Sequence, residues 1–203
     1  MSDAAVEPAV DKNRRKWIAI TCGAGAVGGV AVAVPFVSTF APSERARAAG
    51  APVQVDISGI KPGEKLTVEW RGKPVWIVRR TAEQVAGLPK IDRELADPKS
   101  LRKPEELTPA YARNEARSIK PEYFVGVGIC SHLGCSPIDR FVTGAQPSLP
   151  DDWAGGFLCP CHGSTFDLAG RVFKNKPAPD NLEVPPHMYV SDTVLVIGED
   201  KKA

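Results

Sequence analysis

Between Trp17 and Ser43 the chain carries no charged residue, and Ala, Val, Gly, Ile and Phe fill most positions. A helix that crosses a bilayer needs about 20 apolar residues. Trp17 to Val37 supply them, with Trp17 where an interfacial aromatic sits. Asn13-Arg14-Arg15-Lys16 lies immediately before this run and belongs on the cytoplasmic side, so everything after about residue 41 is expected across the membrane. A signal-peptide apolar region is only about 7–15 residues long, so an uncleaved anchor fits better. The paired arginines also have the form of a twin-arginine export signal, which suits a protein exported already folded.

The pattern then changes. Residues 41–52, bracketed by Pro42 and Pro52, offer no bulky apolar side chain and read as a linker, extended or briefly helical. From Val53 onward the period is two. Val53–Ile57 alternates, and Leu66–Trp70 and Val75–Val78 flank Arg71-Gly72-Lys73-Pro74 as a hairpin. Further strands are expected at Tyr123–Ile129, at Thr165–Asp167 paired through a turn with Arg171–Phe173, and at Met188–Val190 with Thr193–Ile197. Residues 81–120 depart from this pattern: a short helix over Thr81–Leu88 is followed by Pro and charge. They read as a helix-and-loop insertion on a β scaffold. The expected organisation is a cytoplasmic segment 1–16, an anchor 17–40, a hinge 41–52 and one mainly antiparallel β head 53–203, large enough for its own core.

Charge excludes one partner class. The formal net charge is +2, and residues 53–203 have no excess of either sign, which leaves no electrostatic footprint for nucleic acid. Chemistry concentrates in two short boxes, Cys130-Ser131-His132-Leu133-Gly134-Cys135 and Cys159-Pro160-Cys161-His162-Gly163-Ser164. They hold four of five cysteines and two of three histidines; Cys22 lies in the apolar run. Thiolate and imidazole are ligands for soft or borderline metals. Cys130 with His132 and Cys159 with His162 form two mixed pairs, with Cys135 and Cys161 left over in equivalent places. Two ligand pairs and one disulfide account for all six residues, and a disulfide requires a location outside the reducing cytosol. A structural zinc site with two Cys and two His, in a membrane-anchored interaction domain, is the alternative of a different class. Zinc sites, however, usually pair Cys with Cys and His with His.

The two boxes together resemble those of Rieske iron–sulfur subunits of bacterial cytochrome bc1 complexes. The resemblance extends to the twin-arginine anchor, the linker, Lys176-Pro177-Ala178-Pro179 where the family has a proline loop, and the C-terminal strands. It implies a Rieske-type antiparallel β-sandwich head with a cluster-binding part at about 125–180 and one [2Fe–2S] cluster. Cys130 and Cys159 would hold the inner iron, and His132 and His162 the outer one. Cys135 and Cys161 would form the family's disulfide, and Ser164 would hydrogen-bond a bridging sulfide. Leu133 would belong to the apolar tip that docks at the quinol site. Two ferric ions, two sulfides, two thiolates and two neutral imidazoles sum to zero charge, which eases reduction. Rieske centres span about −150 to +300 mV, against about −400 mV for plant-type clusters.

The implied activity is that of a quinol–cytochrome c reductase subunit within a dimeric complex. An electron and a proton are taken from ubiquinol at cytochrome b, the proton by His162, and the head then swings on the linker to reach cytochrome c1. The Rieske subunit of another periplasmic oxidase, such as arsenite oxidase, is the alternative within electron transfer. His187, the third histidine, reads as a satisfied or surface side chain. Together with the remaining residues it assembles no 2-His-1-carboxylate iron site, which excludes a Rieske oxygenase catalytic subunit.

Two features depart from the family. The 26 residues between His132 and Cys159 exceed the usual spacing, and residues 143–156 read as an extra surface loop. Phe166 stands where relatives commonly place a Tyr that donates to a cysteine sulfur. Fewer hydrogen bonds to sulfur lower a cluster's potential. A Phe166→Tyr change is therefore expected to raise the midpoint potential, measured by redox titration with EPR detection.

Overall fold

The structure is a computed structural model that describes residues 11–200. Of the expected cytoplasmic segment 1–16, residues 1–10 lie outside the described residues. The chain divides into two compact units between Arg47 and Ala48.

In the first unit, α1 covers Lys12–Ser38, 27 residues, and is long and apolar enough to cross a membrane. It starts five residues ahead of the apolar run. The Asp11 side chain accepts the N–H groups of Asn13 and Arg14, which caps the helix and draws the basic cluster into its first turns. A six-residue helix, α2, forms over Glu44–Ala49 within the linker.

Among the described residues of the second unit, nine short strands form three antiparallel sheets of three strands each. β1 (Val53–Asp56) pairs with β9 (Val194–Ile197), which pairs with β8 (His187–Tyr189). β2 (Lys65–Trp70), β3 (Lys73–Arg79) and β4 (Tyr123–Val127) form the second sheet. Their hairpin is tighter than the sequence implied. Trp70 pairs with Lys73, which leaves a two-residue turn at Arg71 and Gly72, both at positive φ (52° and 70°). This geometry matches strand twist. β5 (Ile138–Arg140), β6 (Gly156–Leu158) and β7 (Thr165–Asp167) make the third sheet. The return arm of the expected 165–173 hairpin shrinks to a single bridge, Phe166 to Val172.

Strand alternation sends side chains to opposite faces, and β3 uses both. Val75 and Ile77 join Val55, Ile57, Val125, Leu195 and Ile197 in one core. Trp76 and Val78 join Phe124, Phe157, Phe166, Val172 and Leu182 in the other, which also contains Cys130 and Cys159. The continuous apolar run at 75–78 follows from this double burial.

Residues 143–156 are a loop, but a pinned one. Trp153 is buried, donates its Nε1–H to the Arg140 carbonyl at 2.8 Å and lies 5.4 Å from the Phe173 ring. The Gly144 N–H returns to the Trp153 carbonyl. This closure sets up β6, which the sequence pattern did not reveal.

The insertion carries α3 (Ala82–Gly87), started by a capping box between Thr81 and Gln84, and α4 (Pro104–Leu107). Three buried arginines fasten it to the strands around β7. Arg117 donates to the carbonyls of Ala169, Gly170 and Leu182 and to Thr108 Oγ1. Arg80 donates to the Ala116 and Leu168 carbonyls and to Ser118. Arg171 pairs with Asp167 and with Asp92 of the insertion, at 2.8 and 2.7 Å. Burial pulls the pKa values of Arg80 and Arg117 down to about 10, and the Asp167 charge acts against that pull. Both therefore stay protonated at neutral pH, and Asp167, itself fully buried, is their counter-charge. Asp167→Asn removes the fully buried counter-charge that these cations share. We expect a loss of about 3–5 kcal/mol and a thermal midpoint lower by roughly 10 °C or more, read by calorimetry.

Candidate metal centre

The two boxes fold as the same turn. In the first, the Cys130 N–H donates to the Cys135 carbonyl and the Gly134 N–H returns to the Cys130 carbonyl, at 2.8 and 3.1 Å. In the second, the Cys159 N–H donates to the Ser164 carbonyl and the Gly163 N–H to the Cys159 carbonyl, at 2.7 and 3.0 Å. Glycine occupies the same place in each, with φ of 82° at Gly134 and 75° at Gly163, where an L side chain is disfavoured. The first turn follows β4 and feeds β5. The second closes the β6–β7 hairpin just beyond the Leu158–Thr165 pair.

Superposing the turns by their hydrogen bonds corrects one expectation. Cys135 and Cys161 are not in equivalent places: Cys161 matches His132, and Cys135 matches Ser164. The structure joins them in a disulfide across a sequence separation of 26 residues, with Cα atoms 6.7 Å apart.

Burial grades across the site. Cys130 and Cys159 are each 2% exposed and pack with Trp76, Phe157 and Phe166. His132 is half-buried and His162 exposed, and their rings stand edge to face at 4.8 Å between centroids. Leu133 is 71% exposed at the tip of the first turn. Ser164 is fully buried, and its Oγ accepts the Ala178 N–H at 3.0 Å, which leaves its own proton to donate elsewhere. His187 is remote in role. It is buried, with Nδ1 against the Pro185 carbonyl, Nε2 without a hydrogen-bond partner among the described residues, and the Tyr111 and Tyr189 ring centroids at 5.6 and 6.5 Å.

The donor set fits a two-metal sulfur centre better than a single ion. Among the described residues, the sulfurs of Cys135, Cys159 and Cys161 are the only three donors mutually within 4.8 Å, and the disulfide consumes two of them. Cys130, Cys159, His132 and His162 therefore do not converge on one tetrahedral position, as a structural zinc would require. They offer a buried sulfur pair and an outer imidazole pair. Burial pushes the Cys130 thiol up from its ordinary value, the His132 backbone N–H lowers it, and the adjacent Cys159 raises it further.

Sequence reading missed the packing that backs the sulfurs, because Trp76 and Phe157 carry no chemical signature. It also missed Asp180, whose backbone carbonyl accepts from Ser131 at 2.6 Å. The serine between two candidate ligands was the available signal. By chain entropy the disulfide is worth about 3 kcal/mol or slightly more. Replacing Cys135 and Cys161 together by Ser is expected to lower stability by that amount in denaturant titration, while leaving the Cys130 and Cys159 thiols in place.

Comparison with known proteins agrees with this chemistry. Residues 101–186 match the family model of the Rieske [2Fe-2S] domain, and residues 5–43 match that of the Ubiquitinol-cytochrome C reductase Fe-S subunit TAT signal. The chain is 55% identical over 193 residues to the ubiquinol-cytochrome c reductase iron-sulfur subunit of Allochromatium vinosum, covering 95% of this chain and 91% of that one. It is 41% identical over 189 residues to the subunit of the same name from Bradyrhizobium diazoefficiens, covering 91% and 94%. A mitochondrial cytochrome b-c1 complex Rieske subunit of Nicotiana tabacum is 41% identical over 149 residues, 73% of this chain and 48% of that one. The turns that gather two thiols and two imidazoles are thus those of a Rieske [2Fe–2S] protein, and the chain belongs to the family of bacterial ubiquinol–cytochrome c reductase iron–sulfur subunits.

Proposed function

We propose that this chain carries one electron at a time from ubiquinol to cytochrome c1 within a dimeric cytochrome bc1 complex. The observation that carries the reading is the pair of congruent turns. They bury Cys130 and Cys159 and hold the His132 and His162 rings 4.8 Å apart on the outer side. Cys130 and Cys159 are assigned to the inner iron, and His132 and His162 to the outer one. The bound [2Fe–2S] cluster supplies a one-electron acceptor, in a range of about −150 to +300 mV for Rieske centres.

The protein's own residues do the rest. The aromatic packing behind the cysteines keeps water from the sulfurs, which strengthens every hydrogen bond made to them. Exposure of His162 leaves its outer nitrogen free to accept a hydrogen bond from quinol and to hold the proton released with the first electron. The second electron passes to cytochrome b. Leu133 presents an apolar side chain to the quinol-oxidation site, whose desolvation favours a close approach.

In this reading residues 17–40 anchor the chain in the bacterial inner membrane with the N-terminus cytoplasmic. Residues 41–52 form the hinge, and 53–203 form the periplasmic head, with its cluster-binding part at about 125–180. The Gly- and Ala-containing linker and the export signal support that arrangement. Mild detergent extraction should yield the chain together with b-type and c-type haem, and its EPR spectrum after reduction should carry the Rieske signal. Recovery of the signal without both haems would refute the bc1 assignment, and a Cys130→Ser or Cys159→Ser variant that keeps both its iron and an unchanged signal would refute the ligand set.

A further inference from the structure

The proline segment at 177–180 is held from outside, and its holder lies in the insertion. Pro177 and Pro179 have no N–H, so Ala178 and Asp180 supply the only backbone donors of this stretch. Each donor goes to a serine of one of the two turns. The Ala178 N–H donates to Ser164 Oγ at 3.0 Å, and the Asp180 N–H to Ser131 Oγ at 3.3 Å. Ser131 Oγ–H donates back to the Asp180 carbonyl at 2.6 Å. One short segment therefore orients the hydroxyl beside each candidate ligand pair.

Nothing in a Pro-X-Pro stretch fixes its own position by a strand ladder. Besides the two serines and the burial of Ala178, the side chains that reach it from the insertion are Arg102 and Lys103. Arg102 Nη1 donates to the Pro179 carbonyl at 2.8 Å, and Lys103 Nζ pairs with the Asp180 carboxylate at 2.8 Å. Both are presented by a braced turn. The Asp97 carboxylate accepts the Leu101 and Arg102 N–H groups, and the Asp97 carbonyl accepts from Asn181 Nδ2. Asn181 Oδ1 accepts the Val172 N–H, which continues the brace into the strands around β7. Lys103 itself sits at φ 43°, a left-handed conformation rare for a lysine and retained only where surroundings impose it.

We infer that Arg102 and Lys103 are positioning residues for the metal centre: they clamp residues 179–180 so that Ser131 and Ser164 keep their hydroxyls fixed beside the Cys130–His132 and Cys159–His162 pairs. This gives the 81–120 insertion a role in tuning the centre and rests on the ligand assignment proposed above. The Ser131 proton goes to the Asp180 carbonyl, so Ser131 ties the segment to the first turn, while Ser164, which only accepts from Ala178, keeps a proton for sulfur. A hydroxyl that donates to sulfur raises a cluster's potential only while its direction is held. The two side chains are exposed, so their replacement leaves the core intact.

The test uses the full chain in the detergent-extracted complex. In R102M/K103M, amide hydrogen exchange of the peptide spanning 177–181 is expected to rise at least tenfold. The reduction equilibrium should shift toward the oxidised form by as much as about tenfold, about 59 mV for one electron. R102K/K103R is expected to restore both readouts. Unchanged exchange would overturn the clamp, and so would a lowered potential with unchanged exchange, since that assigns the effect to the two charges alone. Faster exchange with an unmoved potential, or no rescue by R102K/K103R, would also overturn it. A wild-type complex without the Rieske signal would instead fail the proposed function, and the exchange comparison would still judge the clamp.

Discussion

Everything at the metal centre depends on one backbone turn used twice. A cysteine N–H reaches the carbonyl five residues on, and a left-handed glycine N–H returns to the cysteine carbonyl. The turn aims each cysteine inward and lifts the next side chains outward. Two copies face to face create a site with a polarity: sulfur toward the aromatic core, imidazole toward the surface. A single copy could bind nothing of this kind, and the Cys135–Cys161 link ties the copies at their outer rims.

The second constraint is electrostatic. Three guanidinium groups lie inside the head, with Asp167 fully buried among them and Asp92 partly covered. A buried charge is tolerable only when paired and hydrogen-bonded. Here most partners are backbone carbonyls, four of them at 168–170 and 182 in loops that cannot satisfy themselves through a sheet ladder. Arginine suits this task because its planar fork reaches several acceptors at once. The insertion, which looks like an appendage in the sequence, is therefore stitched into the same layer that carries the second turn. The contacts of Arg102 and Lys103 extend that stitching to the proline segment.

Legibility varied with the physical source of each feature. The long apolar helix and β1, β3, β4 and β9 were readable, because a long uncharged apolar run and period-two alternation are both written directly in residue type. β5 and β6 were not. Each has three residues, and β6 is positioned by Trp153 plugging a long loop, a contact that leaves no periodic trace. The β2–β3 turn was placed with two residues too many, because Pro74 suggested a turn while it sits inside the strand. The ligand boxes were legible from residue type alone, as few demands other than a metal place thiols and imidazoles so close.

The sequence by itself determined the chemistry available: two thiols, two imidazoles, two spare cysteines, an apolar anchor and a neutral head. These are properties of side chains and their local spacing. Only the tertiary structure decided how they divide, because residues separated by 26 positions meet through sheet pairing and turn geometry, which no local pattern encodes. It showed that Cys161 occupies the place His132 holds in the other turn, and that Ser164 is oriented by Ala178. It also showed that a lysine and an arginine in a charged, proline-containing stretch reach across the head to the segment covering both turns.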